Sequence, residues 1–147
     1  MDIREVEKEL IGKLILNPNL LLDINVKVED FFDNNCKFYY AVILDLFFNQ
    51  RKNVDLLTVT DVIRRSSRNY TGVELAEILS KTYTTAGVRS NVEIILDQSK
   101  KRKIQKEIDK IASSLNYNDA ITVMKELENM VMKLQDNSNT SIENKKQ

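Results

Sequence analysis

Turn-forming residues are scarce in this 147-residue chain, which has 3 Gly and 1 Pro: Gly12, Gly72, Gly87 and Pro18. Tight strand connections draw on Gly, Pro and Asn-Gly pairs at fixed positions, so a chain this poor in them is steered toward long helices with few breaks. Leu, Ile, Lys and Glu at helical spacing point the same way, to an all-α fold. Composition then narrows function. With 42% hydrophobic and 30% charged residues, the chain can bury a core. Its 22 basic and 22 acidic residues cancel, which argues against nucleic-acid binding through bulk positive charge. The absence of histidine removes His-based triads, general bases and ordinary zinc sites. A lone cysteine, Cys36, can form neither an internal disulfide nor a multi-thiolate metal site, and suits a reducing cytoplasm. No GxxxxGK[ST] phosphate loop occurs.

The breaks divide the chain into helices. Asp2 can cap a first helix, with Glu5 as its capping partner and Ile3, Val6, Leu10 and Leu14 as its apolar stripe. Asn17-Pro18-Asn19 ends it. One helical turn is expected at Val28–Phe32, and Glu29-Asp30 read as acids favoured at a helix start rather than as catalysts. The second main helix spans Asn35 to Asn49, with Tyr39, Val42, Ile43, Leu46 and Phe47 inward. Phe38, Tyr39 and Tyr40 read as core rather than a base-stacking platform. After an extended connector, Asn53–Leu57, Thr58 with Asp61 offers a weak cap for a helix through Ile63. Thr71 with Glu74 reads as a capping box for a helix burying Leu75, Ile78 and Leu79.

The last third is different. Val88 to Leu115 contains no breaker and predicts one long helix. Val88, Val92, Ile95 and Ser99 share one face; Ile104, Ile108, Ile111 and Leu115 share another, about 160° around. The change of face falls at Lys100-Lys101-Arg102-Lys103, a basic run that reads as solvated. After the polar turn Asn116–Asp119, a further helix carries Ala120, Met124, Leu127, Val131 and Leu134 at coiled-coil spacing. A short loop makes the two helices antiparallel. Val123 and Met130 widen the stripe beyond what two helices can hide, which implies a partner. The expected organisation is a globular head at 1–98, a self-associating hairpin at 99–134 and a polar, disordered tail or linker at 135–147. The candidate self-association residues are Ile104, Ile108, Ile111, Leu115, Met124, Leu127, Val131 and Leu134.

The string Glu7-Lys8-Glu9-Leu10-Ile11-Gly12-Lys13-Leu14-Ile15-Leu16-Asn17-Pro18 resembles the E-x-x-[LIV]-[LI]-G-x-[LI]-[LI]-x-[DN]-P opening of the DnaB-type replicative helicases. The resemblance continues through Glu29–Phe32, Tyr40–Leu46, Val54–Val59, Leu75–Leu79 and Arg102-Lys103-Ile104, covering residues 5 to 134 in order. Cys36 stands where the family often has histidine and Gly87 where it often has asparagine. Ser66–Tyr70 is shorter than the usual Gly-rich loop.

The resemblance implies a six-helix globular head followed by an antiparallel helical hairpin. In that family, hairpins pair so that six domains form a trimer of dimers, a collar that docks primase and responds to a helicase loader. It also implies that the ATPase motor, with its ATP and Mg, lies beyond this sequence, so this chain alone should be no enzyme. DNA contact should be weak or indirect, and no membrane segment or signal peptide is expected. Two other readings stay open: a stand-alone phage or plasmid replication regulator that imitates the collar, and the helicase-binding domain of a primase.

Overall fold

The computed structural model describes residues 1–67 and 69–146, with side chains described as far as residue 136. Six α-helices appear in order: α1 (Ile3–Leu16), α2 (Asn34–Leu44), α3 (Leu56–Ser66), α4 (Val73–Ser80), α5 (Val88–Ser114) and α6 (Ala120–Lys146). Two 3-10 turns, Pro18–Leu22 and Val28–Asp30, separate α1 from α2, and a π turn at Asp45–Asn49 extends α2. No strand occurs among the described residues. The chain divides into two compact units, Met1–Ser99 and Lys100–Gln147.

Aspartates set most helix starts. Asp2 accepts the Arg4 N–H at 2.9 Å, Asp33 the Cys36 N–H at 3.0 Å, Asp55 the Thr58 N–H at 2.8 Å and Asp119 the Thr122 N–H at 2.9 Å. Each satisfies a backbone donor that a helix cannot satisfy itself. Two expected caps are corrected. Asp55, rather than Thr58 with Asp61, opens α3, which begins earlier than the Thr58 cap implied. The α4 start falls to Gly72, in a left-handed conformation at φ 80°, and the Thr71–Glu74 box does not form. Glu74 instead accepts the Tyr39 hydroxyl at 2.7 Å and the Asn35 amide at 3.3 Å. Cross-helix donors have taken the carboxylate that a capping box needs.

The core of the first unit is built from α1 (Val6, Leu10, Ile11, Leu14, Ile15), α2 (Cys36, Tyr39, Tyr40, Val42, Ile43), α3 (Val59, Ile63), α4 (Leu75, Ile78) and Ile95 of α5. Phe38 is not part of it: it is 44% exposed, while Tyr39 and Tyr40 are buried. Three consecutive residues on a helix are about 100° apart and cannot all face inward. Gly12 lets α1 approach the end of α4, because a Cβ there would overlap the Thr82 hydroxyl oxygen.

Two buried carboxylates tie the irregular segment between α1 and α2 to its surroundings. Glu7, fully buried on α1, accepts the Phe32 N–H at 2.7 Å and the Asp33 N–H at 2.8 Å. Asp30, also buried, accepts the Lys27 N–H at 2.8 Å and the Ser99 hydroxyl at 2.7 Å. Nearby, Tyr40 stacks on Phe31 with ring centroids 4.6 Å apart and donates its hydroxyl to the Val26 carbonyl at 2.6 Å. On the other side of α1, Lys13 donates to the Asn91 side-chain oxygen, and the Asn91 amide donates to Glu9 at 3.0 Å.

The expected disordered tail, 135–147, differs in the backbone, since α6 runs on to Lys146. Nothing after Asp119 is Gly or Pro, so the helix meets no breaker there. The side chains from 137 onward, and Arg68 in the short Ser66–Tyr70 stretch, lie outside the described residues.

Two predictions follow from these buried groups. Glu7→Gln keeps the side-chain length but weakens two charge-assisted hydrogen bonds, and should cost about 1–3 kcal/mol in urea unfolding. Burial, with the Asp30 carboxylate adding to it, pushes the Tyr40 hydroxyl up to about 12. An unfolded tyrosine titrates near pH 10, so this contribution to stability is complete below about pH 10 and is lost as pH rises toward 12. Tyr39 is shifted the same way, chiefly by burial and then by its Tyr70 and Glu74 hydrogen bonds. The urea midpoint should therefore fall above about pH 10, and Tyr40→Phe should make the fall shallower without abolishing it.

Candidate functional site

The second unit contains all eight candidate self-association residues. It pairs the later part of α5 with α6. Ser114 donates to Glu126 at 2.7 Å, and Lys133 lies 3.8 Å from Glu107, so positions advance along one helix as they recede along the other. The helices are antiparallel. Asp119 caps α6 across the connecting turn, and the Thr122 hydroxyl and N–H hold its carboxyl below the usual range.

The seam between the helices is rotated from the one read in the sequence. Ile111 (9% exposed) and Val123 (6%) are buried, with Ile104, Met130 and Leu134 half-buried around them. Ile108, Leu115, Met124, Leu127 and Val131 are exposed, between 42% and 60%. Val123 and Met130, which the sequence pattern puts at the margin of the stripe, therefore form the seam, while Met124, Leu127 and Val131 lie beside it. Of the eight candidates, Ile104, Ile111 and Leu134 serve the intramolecular contact.

The exposed five share one edge. Measured from Ile111, Ile108 and Leu115 lie about 60° and 40° to one side of α5. Measured from Val123, Leu127, Val131 and Met124 lie about 40°, 80° and 100° to the same rotational side of α6. In two antiparallel helices facing each other, that shared sense points to one edge of the pair. The opposite edge is polar. Glu107, Ser114, Glu126 and Lys133 fall there, and there the cross-helix hydrogen bond and ion pair are found, with Asn118 adding a bond to Glu126 at 3.1 Å. The sequence held the signal for this assignment in matched polar partners at 107/133 and 114/126, which fix the facing sides better than the apolar stripe does.

The remaining candidates resolve plainly. Cys36 is buried, and burial with the adjacent Asp33 carboxylate pushes its thiol far above the ordinary range, away from nucleophile chemistry. Lys100, Lys101 and Lys103 are exposed and Arg102 half-buried. No group of His, Cys, Asp or Glu among the described residues is arranged to hold a metal ion. No helix among them is long and apolar enough to cross a membrane.

A helical head and a helical hairpin with one apolar and one polar edge define an all-α domain. The chain belongs to the DnaB-like helicase N terminal domain family, whose model matches residues 2–97. It is 28% identical over 141 residues to the replicative DNA helicase DnaB of Rhodothermus marinus, and that match spans 90% of this chain but 15% of the relative. The N-terminal domain of DnaB helicase from Mycobacterium tuberculosis has the same fold, with a TM-score of 0.76 at 17% identity, covering 88% of this chain and 95% of that one. A structure of a DnaB-like replicative helicase and its interactions with primase matches with a TM-score of 0.73 at 16% identity, covering 89% of this chain and 31% of that one.

The rotated seam makes a sharp prediction about local stability. Ile111→Ala and Val123→Ala should open the hairpin, cutting hydrogen-exchange protection across residues 104–134 in proportion to about 1–3 kcal/mol. In the monomeric protein, Ile108→Ala and Val131→Ala should leave that protection within about 0.5 kcal/mol of the parent.

Proposed function

We propose that this chain is the collar domain of a ring-shaped replicative DNA helicase, and that the apolar edge of its hairpin joins it to a second copy. Membership of the helicase N-terminal family supports the setting. The carrying observation is the pairing of five exposed aliphatic or Met side chains on one hairpin edge with a polar, cross-linked edge opposite. Two such edges meeting about a two-fold axis cover each other, the commonest symmetric solution for a self-complementary patch. Three such dimers could close into a hexameric collar. Primase is the leading further partner, since a fold relative is described with its interactions with primase. A helicase loader is the second, on the family resemblance. DNA contact by this domain is weak or indirect. On this reading the motor, with its ATP and Mg, is no part of this domain, and the chain spans 15% of the DnaB relative. The protein works in the cytoplasm, where its single thiol stays reduced.

A micromolar dimer needs about 8 kcal/mol. Fully burying a Leu or Ile is worth about 1.5–3 kcal/mol, so ten side chains already about half buried supply about 8–15 kcal/mol before the cost of association, and a micromolar dimer needs the upper part of that range. Sedimentation equilibrium should find dimers or larger species at micromolar concentration. Ile108→Asp with Val131→Asp should give monomers of unchanged helical content, because unpaired carboxylates would sit in the dimer contact. A parent chain that stays monomeric at hundreds of micromolar would remove the edge-to-edge pairing.

A further inference from the structure

The outer side of α6, turned away from α5, carries a pattern that the seam of the hairpin does not use. Measured from Val123 in the seam, Ile121, Lys125, Glu128 and Met132 lie about 160°, 200°, 140° and 180° around the helix. Ile121 and Met132 are 66% and 61% exposed, and Lys125 and Glu128 are exposed between them. Met124 and Val131, at about 100° and 80°, belong to the edge already described. The outer face is therefore a separate surface, about a quarter turn from that edge and open when the edge is paired.

Its four residues run at spacings of 4, 3 and 4, which hold one face of a helix in register over three turns. That series reads the same from either end, and so does the chemistry placed on it. An apolar side chain stands at each end, with a cation and an anion at equal distances from the midpoint between Glu126 and Leu127. A second α6 laid antiparallel about a two-fold axis at that midpoint brings Ile121 against Met132 of the second copy, and Lys125 against Glu128 of the second copy. The same operation sets Glu128 against Lys125 and Met132 against Ile121, so each contact is made twice. An in-register parallel pairing would instead oppose Lys125 to Lys125 and Glu128 to Glu128, which like-charge repulsion disfavours. Neither charge is committed within the hairpin. The cross-helix ion pair of α6 among the described residues joins Lys133 to Glu107 at 3.8 Å, and it is Glu126 that accepts from Ser114 and Asn118.

We propose that the outer face of α6 is a second self-association surface, which receives α6 of another copy antiparallel, in the register set by the Lys125–Glu128 exchange. Where the edge has joined copies into dimers, this face joins one dimer to the next, but the contact does not require the edge. With two apolar side chains from each copy against five at the edge, it is the weaker of the two. It fills at concentrations on the order of a hundred micromolar rather than at micromolar.

Added cysteines read out the register directly, because the native Cys36 is buried. Ile121→Cys and Met132→Cys forms of the whole chain, mixed at about 300 micromolar and oxidised gently with diamide, should give a disulfide-linked pair. Each protein alone should give about tenfold less. Lys125→Glu in both chains sets Glu against Glu and should cut the mixed yield about tenfold; adding Glu128→Lys should restore it, a rescue that lost helicity cannot imitate. The cross-link should persist in chains that also carry Ile108→Asp and Leu115→Asp, which disable the edge. Its loss there would assign the contact to the edge and overturn the proposal, whereas a cross-link in chains whose edge never pairs would support it. Cross-linking of the Ile121→Cys chain with itself at the mixed yield, no cross-link in the mixture, or no rescue by the exchanged charges would each overturn it as well.

Discussion

A carboxylate taken out of water must find donors, and this head is arranged around two that have done so. Glu7 holds the approach to α2 through the Phe32 and Asp33 N–H groups, and Asp30 holds the Lys27 N–H and the Ser99 hydroxyl. Between them they fix the segment from Lys27 to Asp33, which lacks a long helix of its own. Each bond is charge-assisted, and each would leave a buried polar group unsatisfied if broken. The apolar core supplies cohesion, but these bonds set the register in which α1, α2 and the first part of α5 meet. Glu7 also belongs to the opening string that carries the family resemblance.

How much of this was legible depended on whether a signal was local. Asp2, Asp33 and Asp119 sit immediately before their helices, and an N-cap needs only its own backbone, so the helix starts they set were readable or nearly so. The helical period alone places Ile95 and Ser99 on the buried face of α5, because that face has no competing stripe. The capping box suggested by Thr71 and Glu74 does not form because a distant tyrosine and asparagine hold Glu74, and nothing around residues 71–74 announces that. The local sequence does not mark Asn91 for the same reason: its partners, Lys13 and Glu9, lie on α1.

The hairpin shows a subtler limit. On α6, Met124, Leu127 and Val131 satisfy a 4-3 spacing, and so do Val123, Leu127, Met130 and Leu134. Periodicity finds an apolar stripe but cannot choose between two stripes that overlap. The choice is made by polar pairs on the partner helix. The surplus stripe then becomes the exposed edge, so the feature that blurred the seam is also the one that offers a contact surface.

The long-range ties in the head also set an order of events during synthesis. Asn91 bonds to side chains 78 and 82 positions earlier, and Ser99 bonds 69 positions back. Bringing such distant segments together is an entropic cost met only once both exist, and topologies of this kind close late. A nascent chain emerging from the ribosome can form α1 to α4 in turn, yet Lys13, Glu9 and Asp30 cannot meet these partners until the first half of α5 has cleared the tunnel. The hairpin is the reverse case, its paired residues separated by a single turn. It can snap shut almost as soon as α6 is made, so the surface that recruits another copy is ready within moments of the head completing its own closure.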